Sequence, residues 1–170
     1  KGRIFAYDFQ GNMLYAFGGH GYKAGLFMNP SAIEDLGDSL LVTDQKLGTI
    51  TQFTLTDYGK MINDGLAEYK KGNYDESANI WRKVLKHNGN YDQAYIGIGR
   101  ALLREKNYKE AMDYFELKLD AKNYSKAFKL YREVWFEENI GTILIIIAIL
   151  ILLGFGVGFV KKARREVEKG

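Results

Sequence analysis

His20 and His87 are the only histidines in the chain, and there is no cysteine. Imidazoles and carboxylates do acid–base work, or hold a metal, where several converge on one point. His20 stands in the glycine-rich stretch GGHGYKAG and His87 at a predicted helix end. Neither lies in a metal-ligand spacing, and both are expected to face solvent. GGHGYKAG lacks the helix signal that would follow a dinucleotide-binding turn. No nucleophile elbow and no Walker loop occurs. Glu137-Glu138 reads as solvated or topogenic charge. The expectation is a chain with no catalytic residue, no cofactor and no metal.

Charge is better placed to act on a membrane than on a substrate. The 170 residues carry a net charge of +3. The tail 161–170 alone holds five basic residues against two acidic ones, so residues 1–160 balance to zero. No basic excess remains to bind nucleic acid. The basic residues instead flank an apolar run, Ile140 to Val160, that contains no charge. Fifteen of its 21 residues are Ile, Leu, Val or Phe. As a helix it spans roughly 31 Å, matching a hydrocarbon core of about 30 Å. Those fifteen contribute about −5 to −9 kcal/mol to insertion.

A single transmembrane helix over 140–160 is therefore predicted, followed by a cytoplasmic basic tail, 161–170. Lys161, Lys162, Arg164 and Arg165 on one side and Glu137-Glu138 on the other set the topology. The basic end stays in the cytoplasm and the N-terminal domains lie outside. Translocation needs a signal, so residues are expected to precede Lys1. Trp135, beside Phe136, sits where aromatic rings favour the headgroup region. Gly154 and Gly158, four apart, offer a face for close packing of another membrane helix. Asn139 and Gly141 are the expected break before the span.

The elements upstream repeat. Asn-Tyr recurs at 73, 90, 107 and 123, at spacings of 17, 17 and 16. Asn73-Tyr-Asp-Glu76, Asn90-Tyr-Asp-Gln93 and Asn107-Tyr-Lys-Glu110 have the logic of capping boxes with asparagine as N-cap. Helices are predicted near 74–87, 91–105, 108–120 and 124–138, with another at about 58–71. Two helices per 34 residues is the tetratricopeptide period, and residues 60–138 resemble that family. Gly65 and Gly99 fall at its small position in the first helix. Ser77 and Ala111 fall at the small position of the second, and Trp81 and Phe115 at its large apolar position. Gly89 and Asn123 stand where the family closes each repeat with proline. Two repeats and one extra helix are too few for a free-standing solenoid, so the helices should lean on the N-terminal residues or on a partner.

Residues 1–59 hold nine glycines and strand-like runs. IFAYDF (4–9) and MLYAF (13–17) flank one turn; SLLVTD (39–44) and TITQFTL (49–55) flank another. Ile4-Phe-Ala-Tyr7 repeats as Ile50-Thr-Gln-Phe53, 46 residues on. The run Phe17-Gly18, Gly25-Leu26-Phe27, Pro30, Val42-Thr43-Asp44 resembles the NHL-repeat family of β-propellers. That resemblance implies one partial set of blades, with Phe27 and Val42 packed between them.

The fold expected is thus mixed and multi-domain: NHL-like β-propeller blades, then all-α tetratricopeptide-like hairpins, then a single transmembrane helix. This combination is similar to proteins encoded beside carbohydrate ABC importers in Gram-positive bacteria. The resemblance implies a non-enzymatic, membrane-anchored scaffold. Its partners would be integral membrane subunits, importer permeases among them, and lipid, but no nucleic acid. A tethered propeller hydrolase or lyase with its active site in further blades is the alternative.

Overall fold

The computed structural model describes residues 2–37 and 39–167; within the last helix, side chains are described through Lys161 except that of Phe159. The residues form two compact units, Lys1–Ala127 and Phe128–Gly170.

The first unit begins with two small antiparallel sheets. Strands β1 (Arg3–Tyr7) and β2 (Met13–Gly18) form a hairpin. Strands β3 (Pro30–Leu36), β4 (Ser39–Asp44) and β5 (Thr49–Thr54) form a three-stranded meander with β4 central. Both predicted hairpins are present, and among the described residues no closed propeller is formed. The sheets share an aromatic core: Phe17 of β2 lies 4.8 Å from Phe53 of β5, and Phe53 lies 5.7 Å from the buried Phe27. Gly18 is required there, because a Cβ on it would stand 2.8 Å from the Phe27 ring and its φ is +76°.

Asp44 closes the meander. Its Oδ2 accepts the amides of Met28 (2.7 Å) and Asn29 (2.9 Å). Its Oδ1 accepts those of Lys46 and Leu47, both at 2.9 Å. Burial raises the Asp44 carboxyl pKa, but the four N–H bonds outweigh it and hold it below its ordinary 3.8. A lowered pKa contributes stability above the unfolded value and loses it as pH falls through the folded one. The meander should therefore loosen only in acid below about pH 3.8. Asp44→Asn presents one acceptor oxygen where two serve. We expect amide exchange at Met28 and Asn29, or at Lys46 and Leu47, to rise at least about tenfold near neutral pH.

Helices α1 (Asp57–Lys71), α2 (Tyr74–His87), α3 (Asp92–Arg104) and α4 (Tyr108–Leu117) follow, and α5 runs from Ala121 to Val167. Trp81 of α2 is 1% exposed and fills the space between two glycines. A Cβ would meet its ring at 2.9 Å from Gly65 of α1 and at 2.5 Å from Gly97 of α3. Phe115 of α4 fits Gly99 of α3 in the same way, at 2.6 Å. Buried Ser77 of α2 donates to the Gly65 carbonyl at 2.7 Å, fixing the first helix pair at this close approach. This glycine–aromatic complementarity matches the expectation. Gly97 adds to it, and only the GIG doublet at 97–99 hinted at its use.

The capping boxes do not form. Asn73 and Asn107 occupy the N-cap positions, but their side chains make no cap bond; Asn90 lies one residue before the cap, Tyr91. The competing structure is the end of the preceding helix. The Asn73 amide reaches Glu68 O (3.0 Å) and that of Asn107 reaches Leu102 O (2.9 Å), closing Schellman-type ends on Gly72 and Lys106 with φ of +90° and +66°. The Asn73 Nδ2 is spent on Glu68 Oε2 at 2.6 Å. The third such end, on Leu119 (φ +53°), stops α4 three residues earlier than predicted. Asp120 then begins α5 by accepting the Asn123 amide at 3.1 Å, so the helix starts before the fourth Asn-Tyr pair. Leu119 carries a left-handed backbone strain and is 89% exposed. Leu119→Gly should raise stability by about 0.5–1 kcal/mol, visible as a shift of a few degrees in the melting midpoint.

The break expected at Asn139 and Gly141 is also absent: α5 is continuous through both. Asn139 does not cap an end; its Nδ2 donates back to the Trp135 carbonyl at 2.8 Å, inside the helix. A break next to an apolar run would leave backbone groups with no partner, which favours continuation.

Candidate interaction site

Trp81 packs α2 against α1 and α3, and Phe115 packs α4 against α3. The β1–β2 hairpin contacts residues of α1 and α3 directly. At its tip, Asp8 accepts from the Gln10 amide (2.8 Å) and from Asn12 N (2.8 Å) and Nδ2 (2.7 Å). The same carboxylate lies 3.7 Å from Arg100 Nη1 of α3, with both side chains largely buried. Along β2, Tyr91 Oη donates to the Leu14 carbonyl at 2.8 Å, and Tyr15 Oη to Asn63 Oδ1 of α1 at 3.4 Å. Lys70 Nζ of α1 sits 4.9 Å above the ring of Phe9. The helices thus lean on the N-terminal residues of their own chain, as their small number requires.

Electrostatics keep this contact a fixed one. Burial, and then the neighbouring Tyr58 hydroxyl, push the Tyr91 pKa well up, so Tyr91 remains a neutral donor to Leu14. Burial raises the Asp8 carboxyl, while the Asn12 and Gln10 bonds and Arg100 lower it below its ordinary value. Its contribution is therefore present at neutral pH and lost only in acid. Replacing Asp8 with alanine leaves two hairpin amides and Arg100 without their acceptor. It should cost about 1–3 kcal/mol, more than Arg100→Ala, as measured by urea denaturation of each variant.

Beside this contact is a cleft of about 480 Å³, lined by Tyr15, Phe17, Leu40, Phe53, Tyr58 and Asn63 among others. It is mostly apolar and holds no converging acid–base pair. His20 and His87 are both exposed and lie on different elements, His87 with its ring 6.1 Å from Tyr58. Among the described residues no three His, Asp or Glu side chains group to hold a metal.

Residues 63–128 match the family model of the tetratricopeptide repeat. The match covers α2–α4 whole with parts of α1 and α5, and the interlocking glycine and aromatic positions of α1–α4 fall within it. No curated protein and no solved structure matches the chain. The helical region is tetratricopeptide-like, and repeats of this kind are scaffolds for protein–protein contact.

In the second unit, α5 is long and apolar enough to cross a membrane. None of its described side chains from Phe128 onward is buried. Gly154 and Gly158 lie on it with open space where a Cβ would stand. Trp135 is half-exposed and meets Phe136 edge-on at 5.4 Å. Lys161 is exposed, while the side chains of Lys162, Arg164 and Arg165 lie outside the described residues.

Proposed function

We propose that this chain is a non-enzymatic, single-pass membrane scaffold that holds a protein-binding surface beside a membrane complex. The observation that carries this reading is one uninterrupted helix, α5, which starts in the tetratricopeptide-like region and extends into an uncharged run long enough to span a bilayer. The sheets would be NHL-like blades, a reading supported by the buried Phe27 and Val42 and by the four amides gathered on Asp44. The basic tail would lie in the cytoplasm and residues 1–139 outside, on the strength of the flanking charges. Gly154 and Gly158 would pack against a membrane subunit, which explains an open glycine face on a helix with nothing over it.

The partner complex would be an oligosaccharide ABC importer, and its permeases the direct contacts. Affinity purification from membranes in a mild detergent should recover permease subunits with the chain. Recovery of the chain alone, as a monomer, overturns the assignment. Gly154→Ile with Gly158→Ile should lower that recovery several-fold if the face packs. Protease added to intact cells should cut within residues 1–139; protection of that region reverses the topology.

A further inference from the structure

The turn between α2 and α3 reads His87-Asn88-Gly89-Asn90-Tyr91. Of the asparagines in this chain, only Asn88 is followed by glycine. An asparagine side-chain carbonyl carbon is an electrophile, and the next backbone nitrogen can reach it by closing a ring. Elsewhere in the chain the next residue is Met, Asp, Tyr or Ile, whose Cβ crowds that nitrogen, or Pro30, which has no N–H. Gly89 has no Cβ, so its nitrogen is open to approach.

The turn supplies the other parts. Asn88 lies past the end of α2 with φ −144° and ψ 93°, and Asn88, Gly89 and Asn90 are all exposed. The Asn90 amide donates to Asn88 Oδ1 at 3.1 Å. This bond folds the side chain back into a small ring that contains both Cγ and the Gly89 nitrogen. It also aims a donor at the oxygen on which negative charge collects when Cγ is attacked, at the distance an oxyanion donor needs. Among the described residues, the Gly89 N–H donates to no group and Asn88 Nδ2 has no partner. Neither the nucleophile nor the leaving group is tied down. Tyr95 Oη donates to the Gly89 carbonyl at 3.0 Å and steadies the turn.

We propose that Asn88–Gly89 is a site of spontaneous main-chain isomerisation through a cyclic imide. The Gly89 nitrogen gives its proton to hydroxide and forms a bond to Asn88 Cγ. The tetrahedral carbon expels Nδ2 as ammonia, which takes a proton from water, and a succinimide remains. Water then opens either carbonyl of the ring. One opening leaves an aspartate at position 88; the other leaves an isoaspartate, with the main chain routed through Cβ. Asn88 N donates to Val84 O at 3.0 Å and its carbonyl accepts from Tyr91 N at 3.1 Å, so the added methylene falls between these two bonds. The new carboxylate also stands at the C-terminus of α2, where the helix dipole disfavours it. Tyr91 opens α3 and holds the β1–β2 hairpin through Leu14. Conversion therefore loosens the contact between helices and hairpin. The reacting residues are consecutive, so the chemistry needs no segment outside the turn, and its failure leaves the scaffold reading intact.

The test is incubation of the full chain in detergent micelles in oxygen-18 water, followed by mass spectrometry of the tryptic peptide 87–100. Asn88 should take up the label and split into aspartate and isoaspartate forms at least about tenfold faster than any other asparagine. The rate should rise with pH, because the nitrogen must lose its proton. Gly89→Ala has room for its Cβ, whose nearest neighbour is Leu85 O at 3.9 Å, so the variant should fold. It should convert at least about tenfold more slowly. Equal rates at Asn88 and the other asparagines, an undiminished rate in Gly89→Ala, or conversion only in the urea-unfolded chain overturns the proposal. In the converted fraction, amide exchange in β2 should quicken by about tenfold. Unchanged exchange there overturns the coupling to the hairpin.

Discussion

Trp81→Ala should lower the stability of the first unit by about 3–5 kcal/mol. Folded domains are stable by only about 5–15 kcal/mol, so this is about a fifth or more of the total. Trp81 is fully buried, and its ring occupies space that two helices vacate by having glycine at Gly65 and Gly97. Truncation leaves a cavity that these backbones cannot fill, since Ser77 pins Gly65 through its carbonyl. The ring also stacks on Tyr91 at 6.4 Å, and Tyr91 holds the β1–β2 hairpin through Leu14. Amide exchange in β2 should therefore quicken together with that in α2. Urea denaturation followed by tryptophan-independent circular dichroism checks the magnitude. A cost below about 1 kcal/mol would show that Trp81 is not the packing centre of the repeats.

Replacing both Leu150 and Leu153 with arginine should strip the chain from the membrane. Each exchange loses a favourable residue and adds a charge costing about 2.5–3.5 kcal/mol at the helix centre. Two exchanges therefore cost about 6–8 kcal/mol, against an apolar contribution of about −5 to −9 kcal/mol from the whole run. Insertion then becomes close to neutral. The single Leu150→Arg variant keeps about half of that contribution and should stay largely inserted. Both leucines are exposed on α5, so neither change disturbs a packed core. The measurement is the fraction of chain that resists alkaline carbonate extraction. Equal retention of the double variant and the unaltered chain would mean that the run does not span the bilayer.

Much of this architecture is legible residue by residue. An uncharged run of 21 residues, a 34-residue period and paired small and large side chains at fixed offsets are local patterns. Local patterns determine local structure, because helical and strand periods follow from backbone geometry alone. The sequence by itself therefore determined the strands of both hairpins, the helices of the repeats, the fit of Trp81 to Gly65 and of Phe115 to Gly99, and the helix long enough to cross a membrane. It misassigned the capping bonds, because an asparagine between two helices can serve either one, and the amides of Asn73 and Asn107 go to the helix before.

Only the tertiary structure decided what meets at long range. Tyr91 and Leu14 are 77 residues apart, and Tyr15 and Asn63 are 48 apart. Such pairs leave no period in the chain, since each member satisfies its own local rule and the match lies in the geometry between them. The four amides on Asp44 and the second glycine beneath Trp81 belong to the same class. Buried polar groups must be paired and close-packed rings must have room, and which residues meet those needs is settled only when distant segments are brought together.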